Sequence, residues 1–273
     1  MALLNYPEKT PSRRFSSHME KPKKNGKRQK SLTGLLQKHS GRSHGQVMVR
    51  HQGGRHKRFY REIDFKRSKF DVVGVVSAIE YDPNRNVDIA LIHYSDGDKR
   101  FILRPAGLKI KDEVVASQKV EIKTGNATKL GSLPIGTVVH NVEMTPGRGG
   151  QLGRSAGTSL TVQAKEAGYA HLKMPSGEIR MISLEAMATI GMLGNEEHKN
   201  MKLGKAGRSR HLGIRPSVRG VAMDPHSHAH GGGEGRSGIG RPTPMTKYGK
   251  PAVGNTRKKG KWTSKYIMKG RRG

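Results

Sequence analysis

The stretch from Gly204 to Gly240 most limits what this chain can fold into. It reads GKAGRSRHLGIRPSVRGVAMDPHSHAHGGGEGRSGIG, and its apolar residues follow neither the period of a strand nor that of a helix. It therefore cannot form a hydrophobic core of its own. Glycine lets the backbone approach a partner closely, and arginine donates paired hydrogen bonds to phosphate. We expect this segment to be disordered alone and ordered on a polyanion, with nucleic acid as the first candidate.

The basic residues of the chain are concentrated at its two ends. Lys and Arg number 52 against 21 Asp and Glu, a net charge of +31. The net charge is +13 over residues 1–60, +1 over 61–125, +1 over 126–200 and +16 over 201–273. This distribution predicts a folded middle with two arms that bind nucleic acid. A charge run that only keeps the protein soluble is less favoured, because repulsion of this size opposes a compact state without a counter-charge.

Several classes of protein are disfavoured by composition. The chain has no cysteine, which excludes disulfides and thiolate zinc sites. No apolar run approaches the roughly 18 residues that a membrane span needs, and the arms lack an amphipathic stripe. The opening Met-Ala-Leu-Leu is too short for a signal-peptide core, so we expect a cytosolic or organelle-interior location.

The near-neutral middle of the chain predicts two β units. Residues 1–59 are expected to be extended, with one short helical turn at 32–38, and order begins near Tyr60. The first unit, over about 61–125, has β-branched runs and an Asp96-Gly97 hairpin signal; its expected strands lie within 70–83, 86–103 and 114–122.

The second unit has short strands punctuated by Gly and Pro, which favours an all-β fold of small barrels. Its expected strands lie within 136–143, 158–164 and the hairpin 169–183, which turns at Pro175-Ser176-Gly177. Residues 185–194 could form a short helix, but the β-branched Thr189 and Ile190 favour a strand or 3₁₀ turn.

Two further segments combine cations with residues that suit nucleic acid. The loop 145–159 carries Arg148 and Arg154 among five glycines, which predicts close backbone contact with phosphate; the alternative is a flexible surface loop. In the segment 56–67, Phe59 and Tyr60 alternate with cations. Stacking on bases and packing in the first barrel are equally supported for these two rings.

Three alternating histidines, His226, His228 and His230, would share one face of an extended backbone and could bind a metal. Stacking on bases or donation to phosphate is favoured, because the sequence offers no clear second shell. A general-base role would need a substrate and a nucleophile that the sequence does not show.

Residues 233–238 match G-x-G-x-x-G, but no buried strand precedes them and two prolines prevent a following helix. We expect these glycines to leave amide N–H groups free for an anion.

Long motifs in the chain carry a family resemblance. The segments GRSHGQVMVRHQGGRHKRFYREIDFKR, EYDPNRNVDIALIHYSDGDKRFI, GTVVHNVEMTPGRGGQLGRSAGT, PSGEIRMIS, GNEEHKNMKLGKAGRSR and IRPSVRGVAMDPHSHAHGGGEGR resemble the universal large-ribosomal-subunit protein family "L two" in its bacterial or organellar form. The resemblance runs in order from about residue 30 to 272.

The resemblance implies an OB-fold barrel over 61–125 and an SH3-like barrel over 126–200, with long basic non-globular extensions over 1–60 and 201–273. It implies a structural constituent of the large subunit that binds large-subunit rRNA and supports both assembly of the peptidyl-transferase region and subunit association. The implied partners are rRNA, neighbouring ribosomal proteins and the small subunit, on a bacterial cytoplasmic ribosome or an organelle ribosome, with no membrane. No enzymatic activity, catalytic residue, protein-bound metal or cofactor is expected beyond magnesium that accompanies rRNA.

The family's histidine near the peptidyl-transferase centre corresponds to His228, to which we assign a supporting role, since RNA carries the chemistry. Where the family tends to show Asn-Pro-Val-Asp-His-Pro-His, this chain has Asp-Pro-His-Ser-His-Ala-His. Ser227 thus removes an acid that could orient His228, and Ala229 removes a proline.

The residues that we expect to bind rRNA are Arg50, Arg55, His56, Lys57, Arg58, Tyr60, Arg61, Arg67, Arg148, Arg154, Lys205, Arg208, Arg210, Arg215, Arg219, His228, His230, Gly231, Gly232, Gly233 and Arg236.

Two other classes of protein stay open at this point. One is a free regulatory or chaperone-like protein that binds RNA or DNA outside the ribosome. The other is an enzyme that uses the histidine cluster.

Overall fold

The computed structural model describes residues 2–22, 28–254, 257–258 and 260–271, most of whose regular structure is strand. The described strands are β1 (Leu3–Asn5), β2 (Ser17–Met19), β3 (Thr33–Leu35), β4 (Arg42–Ser43), β5 (Gln46–Val47), β6 (Phe59–Arg61), β7 (Gly74–Glu80), β8 (Ile89–Tyr94), β9 (Lys99–Leu103), β10 (Glu113–Val114), β11 (Ala127–Lys129), β12 (Val138–His140), β13 (Val142–Glu143), β14 (Gly150–Leu152), β15 (Leu160–Glu166), β16 (Tyr169–Lys173), β17 (Ile179–Ser183), β18 (Met187–Ile190) and β19 (Ile267–Lys269).

The described helices are short. They are α1 (Pro11–Arg14), α2 (Ala206–Leu212) and 3₁₀ turns at Leu130–Ser132, Glu196–Asn200, Gly220–Ala222 and Trp262–Tyr266. No described helix combines the length and apolar character needed to span a membrane. The chain divides into two compact units: the first comprises residues 1–37, 57–206 and 265–273, and the second comprises 38–56 and 207–264.

The first β unit is a four-stranded antiparallel sheet in the order β10-β7-β8-β9. Its predicted hairpin is confirmed: β8 and β9 pair across a turn in which Gly97 has a φ of +84°. Strand β8 is buried on both faces: Ile89 packs with Phe101 in one core cluster and Ile92 lies in a second, and all three side chains are fully buried. Ile63 bridges Phe101 in parallel, which brings the segment after β6 onto this sheet.

The second β unit is a seven-stranded antiparallel sheet in the order β11-β18-β12-β15-β16-β17-β19. The hairpin over 169–183 is confirmed, and β18 confirms the strand expected within 185–194. Leu130, Leu160 and Leu172 are fully buried in its core. The predicted all-β class, with an OB-fold barrel followed by an SH3-like barrel, is confirmed.

Two local expectations were wrong. Residues 33–35 form strand β3, not a helical turn, because Thr33 pairs with Arg61 across the sheet that β3 makes with β6. The strand expected over 114–122 is reduced to β10. Beyond it, the chain makes only an isolated parallel bridge between Ala116 and Ala127 of β11, and the Asn126 side chain accepts the N–H of Val115 at 2.9 Å. The basic C-terminal tail also adds β19 to the second sheet, by pairing with β17.

The second compact unit, residues 38–56 and 207–264, agrees with the prediction that the glycine- and arginine-rich segment has no hydrophobic core. None of its described hydrophobic side chains is buried. Backbone pairing holds it together. Residues 51–56 run antiparallel to residues 211–215, with Gln52 opposite Ile214. We refer to these two stretches as the paired arm segments.

Candidate nucleic-acid interface

The two basic ends of the chain meet in the second unit through the paired arm segments. The backbone N–H of Gly53 donates to the carbonyl of Gly213 at 2.8 Å, and the N–H of Arg215 donates to the carbonyl of His51 at 3.0 Å. The rings of His56 and His211 lie 4.4 Å apart between centroids. The sequence predicted two separate arms, and it carried no local signal for a pairing between residues more than 150 positions apart.

Glycine at position 53 allows two arginines to cross this backbone. Gly53 is buried, and a Cβ atom placed there would lie 2.9 Å from Nη1 of Arg210 and 3.0 Å from Cγ of Arg215. A side chain at position 53 would therefore push both arginines away from the pairing.

The second unit concentrates positive charge with few internal acids. Its sequence holds 16 Lys and Arg residues but only Asp224 and Glu234 as acids. Like charges at this density repel one another unless an external anion neutralises them. The predicted binding residues that are exposed here are Arg50, His56, Arg215, Arg219, Gly233 and Arg236, and those that are half-buried are Arg55, Arg208, Arg210, His228, His230, Gly231 and Gly232.

The glycine and arginine loop of the second barrel is held from inside by Glu143. This carboxylate is almost fully buried, at 1% exposure. One oxygen accepts the N–H of Gly149 at 2.8 Å, and the other accepts the N–H groups of Gly147 and Met187, each at 3.1 Å. The expectation that this loop offers its amides to phosphate is therefore wrong for Gly147 and Gly149, because an internal carboxylate already occupies them.

The same anchoring leaves the arginines of the loop exposed. Arg148 and Arg154 both face solvent. The guanidinium of Arg154 lies 4.7 Å from the ring centroid of Phe65 and donates to the carbonyl of Gly150 at 3.2 Å. A fixed loop with exposed guanidinium groups suits phosphate binding through side chains. Neither Glu143 nor Phe65 was predicted from the sequence; the signal for Glu143 was a lone acid directly before a glycine-rich loop.

Strand β6 separates its two aromatic rings by alternation. Tyr60 is exposed, whereas the ring of Phe59 is covered by the guanidinium of Arg28 at 3.9 Å from its centroid. Lys57, which is exposed, also lies over this ring at 5.9 Å. Of the two rings, Tyr60 is therefore the one available to stack on a base.

Arg58 and Arg61 turn toward the loop that follows β7. Arg58 donates to the carbonyl of Pro83 at 3.2 Å, and Arg61 donates to the carbonyl of Phe59 at 3.1 Å. Arg61 also lies 3.9 Å from the fully buried carboxylate of Asp82. These contacts give both half-buried arginines an internal role beside the predicted one.

Arg67 is the predicted binding residue that the structure contradicts. It is only 3% exposed, and its Nη2 donates to the carbonyl of Gly125, at the end of the first barrel, at 3.2 Å. Burial lowers the pKa of its guanidinium, opposed in part by the nearby Asp64 carboxylate. A guanidinium enclosed in this way cannot reach phosphate, so Arg67 stabilises the fold.

His140, which the sequence analysis did not single out, is also structural. Burial lowers the pKa of its imidazole to about 4, so the ring is neutral at pH 7. Its Nδ1–H accordingly donates to the carbonyl of Gly191, with 2.8 Å between the two heavy atoms. This bond joins β12 to the end of β18.

The alternating histidines bond to each other and to the backbone. Nδ1 of His228 accepts the N–H of His230 at 3.0 Å, and Nε2 of His230 accepts the N–H of Met245 at 2.9 Å. Within the part of the chain that the structure describes, no three His, Asp or Glu side chains are grouped as metal ligands. The arrangement fixes the two rings and gives no support to a shared metal.

The glycines after these histidines are used internally. The N–H of Gly231 donates to the carbonyl of His228 at 2.8 Å, and that of Gly232 donates to Met223 at 3.0 Å. These two amides are therefore occupied by backbone carbonyls within the protein. A Cβ on Gly231 would collide with the carbonyl of Asp224, so the glycine serves a tight turn.

Lys205, a predicted binding residue that lies in the first compact unit, is exposed.

Two family models match the chain. One, described as Ribosomal Proteins L2, RNA binding N-terminal domain, matches residues 29–116, which cover the first barrel and the arm before it. The other, described as Ribosomal Proteins L2, C-terminal domain, matches residues 123–249, which cover the second barrel and most of the glycine-rich segment. Two small barrels, exposed arginines on a fixed loop and two joined cationic arms thus occur within two successive matches, over residues 29–116 and 123–249. The chain belongs to the ribosomal protein L2 family, whose members are RNA-binding structural constituents of the large ribosomal subunit.

Proposed function

We propose that this protein binds large-subunit rRNA with its exposed arginines and joined arms, supports assembly of the peptidyl-transferase region, and contributes to subunit association during translation. Its further partners are neighbouring ribosomal proteins and the small subunit at the interface. In this proposal rRNA carries out peptidyl transfer, and the protein acts in the cytoplasm of a bacterium or inside an organelle.

One observation carries the proposal: the second compact unit pairs two cationic segments, its described residues form no hydrophobic core, and it has too few acids to balance its charge. A polyanion that lies against this unit would supply the missing counter-charge, and release of its counterions would drive binding. The stacked arrangement of Arg154 on Phe65 offers a second, rigid phosphate contact on the second barrel. RNA shape would supply most of the specificity, because the cations face backbone more readily than base edges.

The salt dependence of binding tests this proposal. The purified full chain is titrated with large-subunit rRNA at several salt concentrations, and with small-subunit rRNA as the matched control. We expect log K for large-subunit rRNA to fall steeply with log salt, and tighter binding than to the control at every salt concentration. Equal affinity for both RNAs would instead support a free, non-selective RNA-binding protein.

A further inference from the structure

His228 is held with one ring nitrogen bonded and the other open. Nδ1 accepts the backbone N–H of His230 at 3.0 Å. Gly220 lies flat against the ring, so closely that a Cβ there would overlap the Cε1 and Nδ1 atoms. Among the described residues no group accepts a hydrogen bond from Nε2.

This geometry selects one tautomer. A neutral imidazole carries its single proton on one nitrogen and a lone pair on the other. Because Nδ1 receives an N–H from His230, the lone pair lies on Nδ1 and the proton on Nε2. His230 cannot easily swing away, because its own Nε2 accepts the N–H of Met245 at 2.9 Å.

We propose that His228 is a positioned hydrogen-bond donor, whose Nε2–H binds a phosphate oxygen of large-subunit rRNA. The inference rests on the proposed function and names the contact that this residue makes. A phosphate is the favoured acceptor because the exposed Arg219 adjoins Gly220, on which the ring rests.

The same bonds argue against general-base chemistry. To take up a proton at Nδ1, His228 would have to displace the N–H of His230. At Nε2 the proton is already present.

The tautomer is measured first, on the free full-length chain labelled with ¹⁵N in histidine. Chemical shifts of the two ring nitrogens distinguish the protonated atom from the unprotonated one, and the His228→Gln variant assigns the signal. We expect a proton on Nε2 and a bare Nδ1. A proton on Nδ1 would overturn the inference, whatever the protein does with RNA.

The contact is measured next, with purified large-subunit rRNA as the probe. The amide nitrogen of His228→Gln reaches the place of Nε2, whereas the shorter His228→Asn side chain reaches only the place of Nδ1. We expect His228→Asn to bind about ten-fold more weakly than the natural chain, the loss of one hydrogen bond to a charged acceptor, and His228→Gln to recover most of this loss. The same two substitutions at the exposed His226 are the control and should not differ from each other.

Equal losses for Gln and Asn at position 228, or no loss for either, would overturn the donor assignment. Failure of the proposed function is read separately, since in that case the natural chain itself would not prefer large-subunit rRNA.

Discussion

The carboxylate of Glu143 accepts the backbone N–H of Gly149 at 2.8 Å, inside a loop whose glycines had suggested contact with phosphate. The protein thus supplies its own anion to this loop. The backbone is fixed from within, and the exposed Arg148 and Arg154 are left to face an external partner.

Replacing Glu143 by glutamine should destabilise the second barrel. The new amide group would point a donor at backbone N–H donors, and at least one of them would lose its partner inside the protein. We expect the free energy of unfolding to fall by about 2 kcal/mol or more, since a bond to a charged group contributes about 1.5–3 kcal/mol. Urea unfolding followed by circular dichroism measures this. The exposed Glu166→Gln is the control, and equal stability of the two variants would remove the anchoring role.

Arg67 and Arg154 should have opposite phenotypes when each is changed to alanine. Arg67→Ala should lower the free energy of unfolding by about 3 kcal/mol, because it empties a buried site and leaves the carbonyl of Gly125 unpaired, while the salt slope of rRNA binding stays the same. Arg154→Ala should leave stability nearly unchanged and reduce that slope by about one. A slope reduced by Arg67→Ala, at a salt range where the variant is folded, would contradict its assignment as structural.

The paired arm segments and the residues after them should dominate the electrostatic part of binding. Changing Arg215 and Arg219 together to alanine should reduce the salt slope by about two and lower the yield of large subunits in cells. Removing two exposed charges from the first barrel, with Lys109→Ala and Lys119→Ala, is the matched control. Normal subunit yield in the arginine double variant would count against the role of the C-terminal arm.

Because His140 is buried with a lowered pKa, the free energy of unfolding should depend on pH. Its pKa is about 4 in the folded protein and near 6.5 when unfolded, so the unfolded state binds the proton more tightly. Stability should therefore fall as the pH drops from about 6.5 toward 4, by about 2 kcal/mol between pH 7 and 5 from this group. His140→Asn keeps a donor near Nδ1 but does not titrate. Hydrogen exchange of amides in β12 and β18 should show a smaller pH effect in this variant; an unchanged pH effect would show that other groups cause it.

The sequence predicted best where the signal is local. The Asp96-Gly97 turn between two apolar runs was enough to locate the β8–β9 hairpin, since such a turn needs only its own residues and their neighbours. The β-branched Thr189 and Ile190 likewise separated a strand from a helix at β18.

Prediction failed where the partner lies far along the chain. Residues 33–35 become a strand through pairing with residues 59–61, and residues 51–56 pair with 211–215; neither segment has a strand pattern of its own. Charge alone also misled for Arg67. Its position in a basic cluster suggested RNA, but the tertiary fold encloses its guanidinium and pairs it with the carbonyl of Gly125. Similarly, Gly231 suggested an approach to RNA, but it meets the demand of close internal packing against the carbonyl of Asp224.

UV crosslinking in cells, followed by sequencing of the RNA attached to this protein, tests the central claim most directly. The account predicts reads concentrated on large-subunit rRNA, with crosslinked peptides within residues 50–61 and 205–240. Reads scattered over messenger RNA, or crosslinks confined to other parts of the chain, would contradict it.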